Sequence, residues 1–147
     1  MIAVLQRVSQ ASVRVAGQEV GQIGRGLVLL LCAEPADTEE VADGLLAKIL
    51  KLRIFADDQG KMNRSVADVQ GGLLVVSQFT LAADVSGGNR PSFTRAADPQ
   101  LGRRLYDHFV WRARQSHPLV QTGQFAAQME LSLVNDGPVT LVLRWPA

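Results

Sequence analysis

Apolar positions in this chain recur at three rhythms: every second residue, every third or fourth, and in two places without interruption. Ile2 to Val8 is largely apolar, and over Ala11 to Val15 the residues Val13 and Val15 alternate with Ser12 and Arg14, the period of a half-buried strand. Gly17-Gln18 predicts a hairpin turn into a strand over Glu19 to Ile23. Leu27 to Ala33 has no polar face, so it is expected at the centre of a sheet, covered on both sides. The second unbroken run, Leu73-Leu74-Val75-Val76, follows Gly71-Gly72 and stops abruptly at Ser77-Gln78-Phe79-Thr80. It predicts a buried strand that delivers hydroxyls and an amide to a surface.

Two stretches have the helical rhythm. Asp37-Thr38-Glu39-Glu40 supplies a side-chain cap from Asp37 or Thr38 and acids for a first turn. Val41, Leu45, Leu46, Ile49 and Leu52 then form an inward stripe, with Asp43, Lys48 and Lys51 toward water. Asp98-Pro99 opens the second helix, with Leu101, Leu105, Phe109 and the stem of Arg112 inward and Arg103, Arg104 and Arg114 outward.

Between the helices, Arg53 to Ala56 is expected as a short strand, Asp57 to Gly60 as a turn, and Lys61 to Gln70 as a polar connection without a clear period. Gly87 to Thr94 is an irregular loop able to offer backbone donors, a cation and a flat ring to one ligand. After the second helix, Val120–Gly123, Phe125–Val134 and Val139–Trp145 have strand composition, the last two joined by Asn135-Asp136-Gly137-Pro138 as a tight hairpin. The order β, β, β, α, β, β, α, β, β predicts a mixed α/β (α+β) fold. It is a β-rich single domain over residues 1–147, with two main helices and either two sheets or one barrel-like system.

Charge changes the picture little overall, with 15 Lys and Arg against 14 Asp and Glu, and it points to no DNA-scale basic field and no membrane surface. Residues 90–147 differ, because all seven of their cations are arginines against four acids, a weak pointer to a phosphate-bearing partner. The lone Cys32 excludes an internal disulfide, and the absence of a leader-like segment gives a cytoplasmic expectation. The longest apolar run, Leu27 to Ala33, is far short of the ~20 residues of a membrane helix.

Candidate chemistry is sparse. Gly21, Gly24 and Gly26 have the spacing GxxGxG and precede a strand, so they do not make a dinucleotide loop. Asp57-Asp58 lacks the further oxygen ligands of a calcium loop, and His108 and His117 have no metal-spaced partner; both histidines are expected at the surface or in packing, with no metal and no cofactor. Gly137-Pro138 is the dipeptide type in which a cis bond is cheap, ~0.5–1 kcal/mol against trans. Either an ordinary turn or a pair of carbonyls aimed to one side is compatible with it.

Ala3 to Val8, Arg53-Ile54-Phe55, Gly60 to Asn63, Val75 to Leu81, Arg90-Pro91-Ser92-Phe93, Thr122 to Phe125 and Asn135 to Thr140 together resemble the D-aminoacyl-tRNA deacylase family, in order and along nearly the whole chain. Gln128 departs from the usual family residue, which puts one secondary contact in question. The resemblance implies hydrolysis of the ester joining a D-amino acid, or glycine, to the 3′-terminal adenosine of tRNA, by a homodimer with sites at its interface.

It further implies that Ser77, Gln78, Phe79 and Thr80 form the catalytic pocket. By the same resemblance Gly137 and Pro138, braced by Arg7, enter the partner's site to hold the substrate ammonium and reject L side chains, and Arg90, Pro91, Ser92 and Phe93 are loop contacts. A non-catalytic RNA-end binding module using the same arginines and the Phe79 and Phe93 rings is one alternative, and a Ser/Thr-nucleophile hydrolase of small esters is another.

Overall fold

Strand β1 (Ile2–Val15) is the spine of the sheet, because three other strands pair with it. In the computed structural model, which describes residues 1–147, β1 pairs antiparallel with β2 (Gln18–Ile23), β3 (Gly26–Cys32) and β8 (Glu130–Arg144). β6 (Gly72–Ser77) then adds parallel to β3, and β7 (Val120–Thr122) parallel to β6. The six-stranded order is β2-β1-β3-β6-β7, with β8 on the other side of β1. β2 curls back against β7, where a Cβ on Gly21 would collide with the Thr122 carbonyl, so the sheet is a nearly closed barrel. This is the mixed α/β, barrel-like architecture expected from the pattern.

The two faces of the sheet bury different sets. Leu5, Leu27, Leu29, Leu31, Leu73 and Val75 meet helices α1 (Glu39–Lys51) and α2 (Pro99–Ser116), which contribute Leu45, Leu46, Ile49, Leu105, Phe109 and Ala113. Val8, Ala11, Val13, Val28, Leu74 and Val76 fill the barrel interior. Each fully buried leucine contributes roughly 1.5–3 kcal/mol.

Thr38 is the cap of α1, its hydroxyl accepting from the Val41 N–H at 3.3 Å. Asp37 instead faces the amino group of Met1 at 2.8 Å. Asp98 caps α2 through the Leu101 N–H, with Pro99 in the first turn. No helix is long and apolar enough to cross a membrane.

Several expectations are corrected. Ile2–Val8 and Ala11–Val15 are one strand: the side chains facing the barrel interior switch from even (Val8) to odd (Ala11, Val13), while Ala3 and Leu5 face the helices, because the register against β8 slips between Val8 and Gln10. The hairpin turn is Ala16-Gly17, since Val15 pairs with Gln18. The polar connection holds a short strand, β5 (Met62–Arg64), on β4 (Phe55–Ala56). Asp43 and Arg112 do not simply face water and core: Asp43 takes the His108 Nε2 at 2.8 Å and the Arg112 Nε at 3.2 Å, joining the two helices.

The largest correction concerns the chain's last quarter. Asn135–Pro138 is no hairpin; both its flanks continue in one strand, β8, along β1. Gln6 pairs with Thr140 and Val8 with Asn135, so two steps on β1 face five on β8 and the excess bulges out. Phe125–Gln128 lies before that strand, outside it.

The β3–β6 pairing has no room for side chains at its start, where Gly26 lies against the backbone of Gly72. Gly26→Ala is expected to lower unfolding free energy by about 3 kcal/mol or more in urea titrations, as overpacking against backbone cannot relax by a rotamer change.

Candidate functional site

Buried strand β6 emits its polar end where its parallel neighbour β3 ends: Ser77 pairs with Leu31, and the Gln78 N–H donates to the Leu31 carbonyl at 2.7 Å. The chain then tightens into a 3-10 turn over Phe79–Ala82. The N–H groups of Phe79 and Thr80 open that turn and have no acceptor inside it. They are rigidly held donors at the carboxyl end of a parallel strand pair.

Beside them lies a cavity of about 780 Å³. Ser77, Gln78 and Phe79 line it with Cys32, Phe93, Tyr106, Phe125 and Gln128, while Thr80 sits one residue beyond, its hydroxyl accepting from the Gln78 side-chain amide. Phe79 and Phe93, both exposed, pack edge to face with centroids 5.2 Å apart at the mouth. The Phe93 side is held by the main-chain bridge between Asp84 and Ser92. Arg90, Pro91 and Ser92 lie on that exposed loop without lining the cavity.

The lining is short of strong bases. Its one carboxylate, Asp98, is engaged with the Leu101 N–H. Burial pushes the Cys32 thiol above its ordinary value, so it is a poor nucleophile. The Tyr106 hydroxyl donates to the Val75 carbonyl at 2.8 Å, and burial pushes it up to about 12. What remains is an apolar cleft with the Ser77 hydroxyl and the Gln78 amide at one end and the turn carrying the Phe79 and Thr80 N–H groups beside it, an arrangement suited to orienting an ester or amide and receiving a developing oxyanion.

Neither histidine joins it. His108 is the inter-helix contact described above, and His117 is 3% exposed, its Nε2 2.7 Å from the Gly71 carbonyl.

Gly137, Pro138 and Arg7 stand elsewhere. Arg7 pairs with Leu27 and Leu27 with Leu73, four residues before Ser77, so Arg7 lies ~13 Å back along the strands and two strand spacings across. There its Nη1 donates to the Ile54 carbonyl at 2.6 Å and its Nε to the Asp136 carbonyl at 3.1 Å. The Asn135 amide ties the same bulge to the Arg7 carbonyl at 2.9 Å. The Gly137–Pro138 bond is cis, and Gly137, at φ +122°, lies so close that an added Cβ would come within 2.6 Å of the Arg7 guanidinium. Both residues are exposed.

Of the wall segments Ala96–Pro99 and Phe125–Met129, sequence reasoning picked out Asp98-Pro99 as a helix start, Phe125 at the end of a family stretch and Gln128 as a departure, and missed Ala96, Ala97, Ala126, Ala127 and Met129, whose side chains carry no chemical signal.

The D-Tyr-tRNA(Tyr) deacylase family profile matches residues 4–144. The chain belongs to this family. A protein named D-aminoacyl-tRNA deacylase from Variovorax paradoxus (strain S110) is 68% identical over 144 residues, covering 98% of this chain and 99% of that one. Another of that name, from Polaromonas naphthalenivorans (strain CJ2), is 69% identical over 148 residues, covering 97% and 96%.

Among solved structures, the c-Myc DNA Unwinding Element Binding Protein superposes with a TM-score of 0.94 at 41% identity over 100% of both chains. A chain described as a probable eukaryotic D-amino acid tRNA deacylase gives 0.80 at 20% identity over 97% of each, a likeness of fold alone.

Two outcomes follow from the cavity wall of this deacylase-family chain. Ala126 adopts φ +64°, which costs an L residue ~1–2 kcal/mol. Ala126→Gly is therefore expected to raise stability by about 0.5–1 kcal/mol in urea titrations, after the glycine's larger chain entropy is subtracted.

Because the fold holds the Tyr106 phenol neutral, its contribution is whole below the ordinary value of 10.0 and is lost as pH rises through about 12. The urea midpoint should fall between these values more steeply in wild type than in Tyr106→Phe.

Proposed function

We propose that this protein hydrolyses the ester of D-aminoacyl-tRNA, and of mischarged glycyl-tRNA, releasing the amino acid and tRNA in chiral proofreading. The observation that carries the reading is the pair of unclaimed N–H groups at Phe79 and Thr80 beside an apolar cleft, in a chain that matches the family over residues 4–144. The terminal adenosine enters the cleft, with the Phe79 and Phe93 rings at its mouth and Arg90, Pro91 and Ser92 in the loop beside it. The ester carbonyl points at the two N–H groups, each worth ~2.7–4 kcal/mol of transition-state stabilisation where such donors have been measured.

An aminoacyl ester is already activated, so orientation and an oxyanion site suffice, with water or the ribose 2′-hydroxyl supplying the proton traffic. Ser77, Gln78 and Thr80 position those groups. Thr80 has no base beside it, its hydroxyl instead accepting from the Gln78 amide, which suits positioning better than attack.

Selection against L substrates falls to Gly137 and Pro138, whose carbonyls hold the substrate ammonium and leave no space for an L side chain. Within one chain this bulge stands level with the start of β3 and β6, whereas Ser77 is at the far end of β6. A homodimer in which each protomer lends its bulge to the other's cleft reconciles that separation with a shared site. Arg7, anchored on the Ile54 and Asp136 carbonyls, fixes how far the bulge projects.

Incubation with D- and L-aminoacyl-tRNA of one amino acid should release the D amino acid alone, measured as free radiolabelled amino acid. Retention of intact D-aminoacyl-tRNA on the protein would instead identify a non-catalytic RNA-end binder. Thr80→Ala should cost less than about 10-fold in kcat, against the loss on the order of 10⁶-fold when a serine protease loses its nucleophile. Gly137→Ala, which drives a methyl into Arg7, should erode D-over-L selectivity by about 10-fold or more.

A further inference from the structure

Four arginines, at 90, 95, 103 and 104, stand against one acid, Asp98, in the stretch from residue 90 to 104. The same stretch supplies Phe93, Ala96, Ala97, Pro99 and Gly102 to the cavity wall. Two of these cations adjoin wall residues, one in space and one in sequence. The Arg103 guanidinium lies 5.6 Å from the ring centroid of Phe125, itself a wall residue, and Arg95 directly precedes the wall residues Ala96 and Ala97.

Neither is consumed by its acidic neighbour. Arg103 meets Asp107 at 3.6 Å and Arg95 meets Asp84 at 3.3 Å, single contacts of side chains 63% and 70% exposed, which leave most of the five N–H donors of each guanidinium free. The Asp84 carboxylate is shared with the Ser86 hydroxyl at 2.6 Å, and Asp98 is taken up in capping α2.

We propose that Arg95 and Arg103 form a phosphate-binding rim that grips the backbone of a single-stranded RNA end while its last nucleoside occupies the cavity. The planar fork of arginine matches two phosphate oxygens at once, which a lysine does not. The stacked position of Arg103 on Phe125 fixes its direction. The rim rests on the reading that the cavity receives the 3′ end of tRNA, and it adds affinity for the polynucleotide without touching the ester. It is a positioning device, felt by RNA and invisible to a lone nucleoside.

The test uses the full chain carrying Arg95→Gln and Arg103→Gln together, with the Lys pair as a charge-retaining control. Fluorescence anisotropy of a tRNA acceptor-stem hairpin with its single-stranded 3′ end is followed across a salt series. Removing two phosphate contacts should weaken binding by about 10-fold at low salt and flatten the slope of log K against log salt by about 1.4, with the Lys pair keeping the wild-type slope. Hydrolysis of D-aminoacyl-adenosine, which has no phosphate, should be unchanged in the Gln pair.

An unaltered salt slope, or a proportional loss on D-aminoacyl-adenosine, overturns the rim. If wild type cleaves neither ester, the deacylase reading fails while the hairpin salt slope still decides the rim.

Discussion

β6 is gripped on both edges and both faces, and that constraint sets everything downstream of it. β3 and β7 run parallel to it, and Leu73, Leu74, Val75 and Val76 are all buried, so its backbone has no freedom until Ser77. At that residue β3 runs out, and the chain must turn with donors that neither neighbour takes up. A site made this way owes its geometry to the sheet. The Phe79 and Thr80 N–H groups, on exposed residues just past a buried strand, take their direction from it beside a cleft with few titratable groups.

A second set of constraints arranges the cleft's roof. α2 begins at the cavity and lies over the sheet, with Asp98 as its cap and Tyr106 reaching down to the Val75 carbonyl. The phenol thus couples the helix to the strand two residues before the site. Tyr106 also meets the Phe125 ring at 5.7 Å, and Arg103 meets that ring from outside, so strand, helix and following turn are joined through one aromatic cluster.

How much of this was written in the chain depends on how local each cause is. The unbroken runs at Leu27 and Leu73 announced doubly covered strands, and Thr38 and Asp98 announced helix starts, because burial on both faces and capping leave direct marks in adjacent residues. β5 left none: its three residues, Met62–Arg64, owe their extension to pairing with β4. The bulge at Asn135–Pro138 has hairpin-like composition, yet β1 holds both its flanks, and a partner 129 positions away cannot be inferred from turn chemistry. The SQFT and NDGP motifs were visible as candidates, whereas their separation along the sheet depends on register across β1, β3 and β6.

Arg7 deserves to be considered from the standpoint of how such a chain tolerates change. Its guanidinium hangs from β1 and is pinned to two carbonyls, 47 and 129 positions distant, so the projection of the bulge depends on contacts outside the strand that contains it as well as on that strand's own Asn135. Because the bond is to the Ile54 main-chain carbonyl, a change of side chain there keeps it, whereas a shift of the backbone at that remote point would carry the protrusion with it.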